Sequence, residues 1–154
     1  MNDSPLLEAW AIHNRINLYM LAAVPDAALA SVSASQGRTV GEQFAHIHNV
    51  RLMWLKAAAP ALLGDLEKIE TGGVDRALLA KSLEASSAAV AELLRQAAVN
   101  GDRVKNFKPH GTAFFAYLIA HESHHRGQIA LTLKQAGCPL EKKIAYGLWE
   151  WGVR

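Results

Sequence analysis

Four stretches of this chain each open on a residue suited to cap a helix and close on proline or glycine, a punctuation that leaves room for little but helices. Ser4 precedes Pro5, whose missing N–H costs nothing at a first helical position. Leu6, Leu7, Trp10, Ile16, Leu18, Tyr19 and Leu21 follow at roughly helical spacing, and Pro25 closes the stretch. Thr39-Val40-Gly41-Glu42 has the capping-box pattern, and the helix it starts runs to about Ala59, just before Pro60. Asp75 can cap a third helix bearing Leu78, Leu79, Leu83, Val90, Leu93 and Leu94, which Asn100-Gly101 stops. Thr112 is the expected cap of a fourth helix, which reaches Ala136 with Gly137 as its stop. The connections fall at 26–38, 60–74 (with Gly64, Gly72 and Gly73) and 102–111. Together these predict an all-α four-helix bundle. The tail, 138–154, carries Tyr146, Trp149 and Trp151 and is expected to add a short last helix packed on the bundle. Gly127 interrupts the fourth helix at a cost of roughly 1 kcal/mol against alanine, which suggests close approach of a neighbouring helix or a ligand.

With 154 residues, 51% apolar and 19% charged, the chain can bury one core as a single domain over 1–154. Sixteen basic residues against 14 acidic leave a net +2, too little for a nucleic-acid footprint, and no Lys/Arg cluster interleaves with aromatics. No apolar run approaches the ~18–20 residues that span a bilayer. Met1-Asn2-Asp3-Ser4-Pro5 lacks the basic and apolar regions of a secretory signal. Cys138, the single cysteine, excludes an internal disulfide and fits a reducing compartment. Neither nucleic acid nor membrane is therefore expected as a partner, and the expected location is the cytoplasm.

The chemistry lies in the histidines, of which there are seven. His121 and His125 stand four residues apart, so on a helix they share a face with about 5–6 Å between Cβ atoms and can turn two imidazoles to one ion. Their stripe includes Phe114, Leu118, Gln128 and Thr132, a mixed face suited to the bundle interior. His124 points about 100° away from His125, toward solvent or a supporting position. A histidine pair at this spacing also occurs by coincidence, so a third ligand is needed, and the second helix offers His46 and His48. His46 shares a face with Gln43, Val50 and Met53; His48 shares one with Phe44, Leu52 and Leu55. Periodicity does not choose between them. His13 and His110 lack partner spacing and read as surface or capping residues.

Residues 121–125 also match His-Glu-x-x-His, in which the glutamate of a zincin protease acts as general base. The context argues against a protease, because the helix ends within a dozen residues and no strand pattern lies alongside it.

Thr39-Val40-Gly41-Glu42-Gln43-Phe44-Ala45-His46, followed by Trp54, resembles the second-helix motif of the DinB-like (damage-inducible) metal-binding four-helix bundles. His121-Glu122-Ser123-His124-His125-Arg126-Gly127-Gln128-Ile129 is similar to that family's fourth-helix signature, and 146–152 to its common ending. The resemblance implies a three-histidine site of His46, His121 and His125, with His48 as a substitute ligand or pocket residue. It also implies a divalent metal such as zinc or nickel, and a homodimer. Gln43, His48, Glu122, His124 and Arg126 are polar groups near the ligands and candidates for a supporting role, the acceptors among them for hydrogen-bonding a ligand's distal N–H.

Related bundles include transferases and isomerases that use a low-molecular-weight thiol such as bacillithiol or mycothiol. The expected function is a metal-dependent thiol S-transferase acting on small electrophiles. Two other readings stay open, a metal-dependent hydrolase and a non-catalytic metal-binding stress-response protein. Cys138 is expected to be structural or incidental rather than a nucleophile, and Trp149 and Trp151 to pack the tail on the bundle.

Overall fold

Local punctuation sets the helices. In the computed structural model, which describes residues 4–72 and 74–154, the chain runs through α1 (Pro5–Ala23), α2 (Val40–Ala58), α3 (Arg76–Val99), α4 (Gly111–Gln135) and the short α5 (Lys142–Gly147). Single 3-10 turns occupy Asp26–Ala30, Pro60–Leu63 and Trp151–Val153. Among the described residues β-structure is limited to one isolated bridge, Val32 with Thr39, and no helix is long and apolar enough to cross a membrane. Met1–Asp3 and Gly73 lie outside the described residues.

Three of the four expected caps form as expected. The Ser4 hydroxyl accepts from the Leu7 N–H at 3.3 Å and the Asp75 carboxylate from the Leu78 N–H at 2.8 Å. Thr39 and Glu42 bond reciprocally at 3.1 and 2.8 Å. The exception is α4, whose cap is His110 rather than Thr112: the His110 Nδ1 accepts from the Ala113 N–H at 3.1 Å. Thr112 is drawn off by Asp102, whose carboxylate accepts from both the Thr112 hydroxyl (2.8 Å) and its N–H (3.2 Å).

The helices pack as a bundle, α3 against α1 and α2, and α4 against α2. Its interior consists of two apolar clusters. One gathers Met20, Leu21, Phe44, Ile47, Leu79, Leu83, Ile129 and Leu133; the other gathers Trp10, Leu55, Val90, Leu93, Leu94, Phe114 and Leu118. Each large side chain fully buried there contributes about 1.5–3 kcal/mol. On every long helix, residues between the two clusters are buried and polar: His13, Asn14 and Asn17 on α1, Arg51 on α2, Ser86 and Ser87 on α3, Glu122 on α4.

The tail departs from expectation in part. It does form a short helix, held where Gly147 abuts the Tyr19 ring so closely that a methyl group would collide, and where Arg154 lies over that ring at 3.7 Å. Trp149, however, is 77% exposed and does not pack the tail down. Gly127 too has no close neighbour, since a side chain built there would meet nothing within 4 Å. Gly127→Ala is therefore expected to raise stability by about 0.5–1 kcal/mol, through the lower entropy of the unfolded chain. Urea denaturation checks this; a loss of stability would mean that α4 needs the glycine after all.

Candidate metal centre

The capping box fixes the first turn of α2, and from it Gln43 and His46, three residues apart, both turn toward α4. His121 and His125, one turn apart on α4, meet them. The ring of His46 stands 5.3 Å from that of His121 and 4.5 Å from that of His125, centroid to centroid, with 4.6 Å between His121 and His125. One nitrogen from each of the three falls within 4.8 Å of the others. The Nε2 atoms of His121 and His125 are 3.2 Å apart. Two nitrogens bound at 2.0–2.1 Å to one tetrahedral ion would be about 3.3 Å apart, so the donors present fit a metal ion.

Gln43 completes the arrangement. Its side-chain oxygen accepts from the Nδ1–H of His125 at 2.6 Å, which leaves the Nε2 lone pair of that ring directed at its neighbours. The Nδ1 of His121 is buried and meets no protein partner among the described residues. Tyr117 stacks on the His121 ring at 6.2 Å and belongs to an aromatic group with Trp54, Phe107 and Phe114.

Burial lowers the pKa of all three histidines, and the charge of Arg38 and the neighbouring imidazoles add to the effect. His46 and His125 fall to about 4, so their lone pairs are free at neutral pH. Unfolded histidines take up protons near pH 6.5, while these two stay neutral in the folded chain until about pH 4. The unfolded state binds more protons in that window, so stability is full above about pH 6.5 and declines as pH falls toward 4. Metal-free protein is expected to show a lower urea midpoint at about pH 5 than at about pH 7.5, and equal midpoints would contradict the depressed values.

The other expected residues divide. His48 does not join the centre: its Nδ1 faces the Ser82 carbonyl at 3.0 Å and its Nε2 the Glu67 carbonyl at 2.8 Å, on the side of α2 turned to α3. His124 is exposed, its ring edge-on to His125 at 5.1 Å. Glu122 touches no histidine of the centre. It lies fully buried, its Oε1 accepting from Arg51 Nε at 2.7 Å. Its Oε2 accepts from Arg51 Nη2 (2.8 Å), Asn17 Nδ2 (2.7 Å) and His13 Nε2 (2.8 Å). Burial alone would raise this carboxyl, but the Arg51 charge and the hydrogen bonds from Arg51 and His13 outweigh it and hold the group well below the usual carboxylate range. A base so firmly held as carboxylate, and so enclosed, is unsuited to the zincin role.

His13 is thus neither a surface nor a capping residue. It is buried and kept neutral chiefly by that burial, donating to Glu122 while Arg126 approaches its Nδ1 at 3.4 Å. Arg126 also donates to Asn17 Oδ1 at 2.6 Å. Arg51 reaches on to Asn14 (2.9 Å), the Leu83 carbonyl (2.9 Å) and Ser86 (3.2 Å). All four long helices are joined through this network, which helical periodicity alone does not reveal.

The family model described as the DinB family matches residues 1–150 of the chain. No curated protein and no solved structure matches it.

Proposed function

This chain belongs to the DinB family, and on that premise we propose that His46, His121 and His125 hold one divalent ion, zinc or nickel, used to join a small thiol to a small electrophile. The donor set carries the reading. Three neutral imidazoles come together on two facing helices, and among the described residues no carboxylate or thiol joins their group. Imidazole nitrogen suits zinc and nickel, and three protein ligands leave a position for an outside molecule. An ion held there would lower the pKa of a thiol entering that position and so supply a thiolate near neutral pH.

The chain's own residues have distinct tasks around that position. Gln43 fixes the tautomer and orientation of His125. Tyr117, stacked on the His121 ring and packed with Trp54, Phe107 and Phe114, gives the centre an apolar flank. Replacing Gln43 by alanine is expected to weaken metal affinity about 10–100-fold, measured by competition with a chromogenic chelator. Unchanged affinity would mean that packing alone orients His125.

The function is tested by following thiol-dependent consumption of monochlorobimane by metal-loaded protein. Turnover should require both metal and thiol and disappear in His46→Ala. Cleavage of esters or amides without a thiol would replace this reading with a hydrolase. Tight metal binding with neither activity would leave a binding protein.

A further inference from the structure

Beside His46 lies a cavity of about 250 Å³. Arg38, Glu42, Asn49, Lys68 and Glu70 are among its walls. Its size suits a molecule of a few heavy atoms, below the ~300–1,000 Å³ that accommodates larger ligands. Both walls are anchored. The Arg38 side is pinned by the Val32–Thr39 bridge, by Val40 N–H bonded to the Ser31 carbonyl (2.9 Å) and by Ala34 N–H bonded to Gln135 (2.8 Å). The opposite side is tied to α2 by Asn49, which exchanges two hydrogen bonds of 2.9 Å with the backbone of Ile69.

Two cations, Arg38 and Lys68, and two carboxylates, Glu42 and Glu70, line it, and they differ in how they are engaged. Glu42 is engaged by the Thr39 N–H at 2.8 Å, and Glu70 stands 3.7 Å from Lys68. Arg38 enters none of the ion pairs formed among the described residues. The three histidines carry no negative charge of their own, and the buried carboxylate Glu122 is neutralised by Arg51. A divalent ion at the histidines would add its charge to that of Arg38, the charged side chain of these walls that has neither an ion pair nor a hydrogen bond among the described residues, and a ligand anionic at two points would answer both.

We propose that this cavity, which His46 alone of the three histidines borders, is a carboxylate subsite, in which Arg38 pairs with the carboxylate of a small thiol acid whose sulfur reaches past His46 to the ion position. Arginine suits the task because its planar fork matches a carboxylate with two parallel hydrogen bonds. The identity of the second group as a thiol rests on the function proposed above; the carboxylate at Arg38 rests only on an ion being held by the three histidines.

The two parts separate in one experiment. Cobalt(II)-loaded protein is titrated with 3-mercaptopropionate, 2-mercaptoethanol and propionate, following the cobalt absorption spectrum in wild type, Arg38→Gln and Arg38→Lys. Wild type is expected to bind 3-mercaptopropionate about tenfold more tightly than 2-mercaptoethanol. Arg38→Gln should lose that preference with 2-mercaptoethanol affinity and cobalt content unchanged, and Arg38→Lys should keep part of it. Equal affinities in wild type, or a preference that survives Arg38→Gln, would overturn the subsite. A response to propionate that depends on Arg38, with none to either thiol, would keep the subsite and remove the thiol. Protein that takes up no cobalt would overturn both.

Discussion

Replacing Glu122 by alanine is expected to cost about 3–5 kcal/mol of folding stability, at the top of the range for a single substitution, because it leaves Arg51 buried without its counter-charge. Both side chains are essentially inaccessible, at 0% and 1% exposure, and four hydrogen bonds converge on the carboxylate. Single domains are commonly stable by about 5–15 kcal/mol, so the variant would sit near the edge of folding. Arg51→Met should cost a similar amount by stranding the carboxylate. The pair Arg51→Met with Glu122→Leu should cost clearly less than the sum of the two, since no bare charge remains. Urea denaturation of the three variants checks the set. Strict additivity, or a Glu122→Ala cost below about 1 kcal/mol, would mean that the ion pair is not the keystone its burial indicates. The pH dependence has a definite sign. A carboxyl lowered in the folded state adds stability fully above its unfolded value of 4.5, and that contribution drains away as pH falls below it.

The second large effect concerns the metal. With ion at a thousandfold its dissociation constant, binding should add about 4 kcal/mol of stability. At roughly 2–4 °C per kcal/mol for a chain of this size, that raises Tm by about 8–16 °C. His46→Ala, His121→Ala and His125→Ala should each abolish the shift and the bound metal, read by thermal scans with zinc or nickel and by elemental content. His48→Ala should keep both, though from a lower baseline because its contacts to the Glu67 and Ser82 carbonyls are lost. A wild type whose Tm ignores both ions and which purifies and stays metal-free would end the metal reading.

How much of the molecule is legible in the chain follows the range of the interactions. The capping box at Thr39, the Ser4-Pro5 start, the Asp75 cap and the Gly101 and Gly137 stops involve atoms a few residues apart, and local rules suffice for them. Thr112 misleads because its partner, Asp102, lies ten residues away across a turn. Periodicity cannot choose between His46 and His48 because both sides of α2 are covered, one by α4 and the other by α3 and the segment near Glu67. The polar network leaves only a faint trace in the sequence. His13 and Asn17 share the helical stripe of Trp10 and Met20, and Arg51 stands midway between Ile47 and Leu55. Polar residues in an apolar stripe blur the pattern by which core positions are recognised, and only their partners on other helices show that they belong there.

That network also has a bearing on alignment. Apolar helices give one another little instruction about how far to slide, since a shift of one turn, about 5.4 Å, still sets leucine against leucine. A shift here would draw the Arg51 fork off the Glu122 carboxylate and leave two charges in the dry interior, so the ion pair acts as a ruler along the bundle axis. His121 and His125 are carried on the same helix within three residues of Glu122, and His46 lies five residues before Arg51. The depth at which the three imidazoles meet is therefore measured from a fixed mark that never touches them.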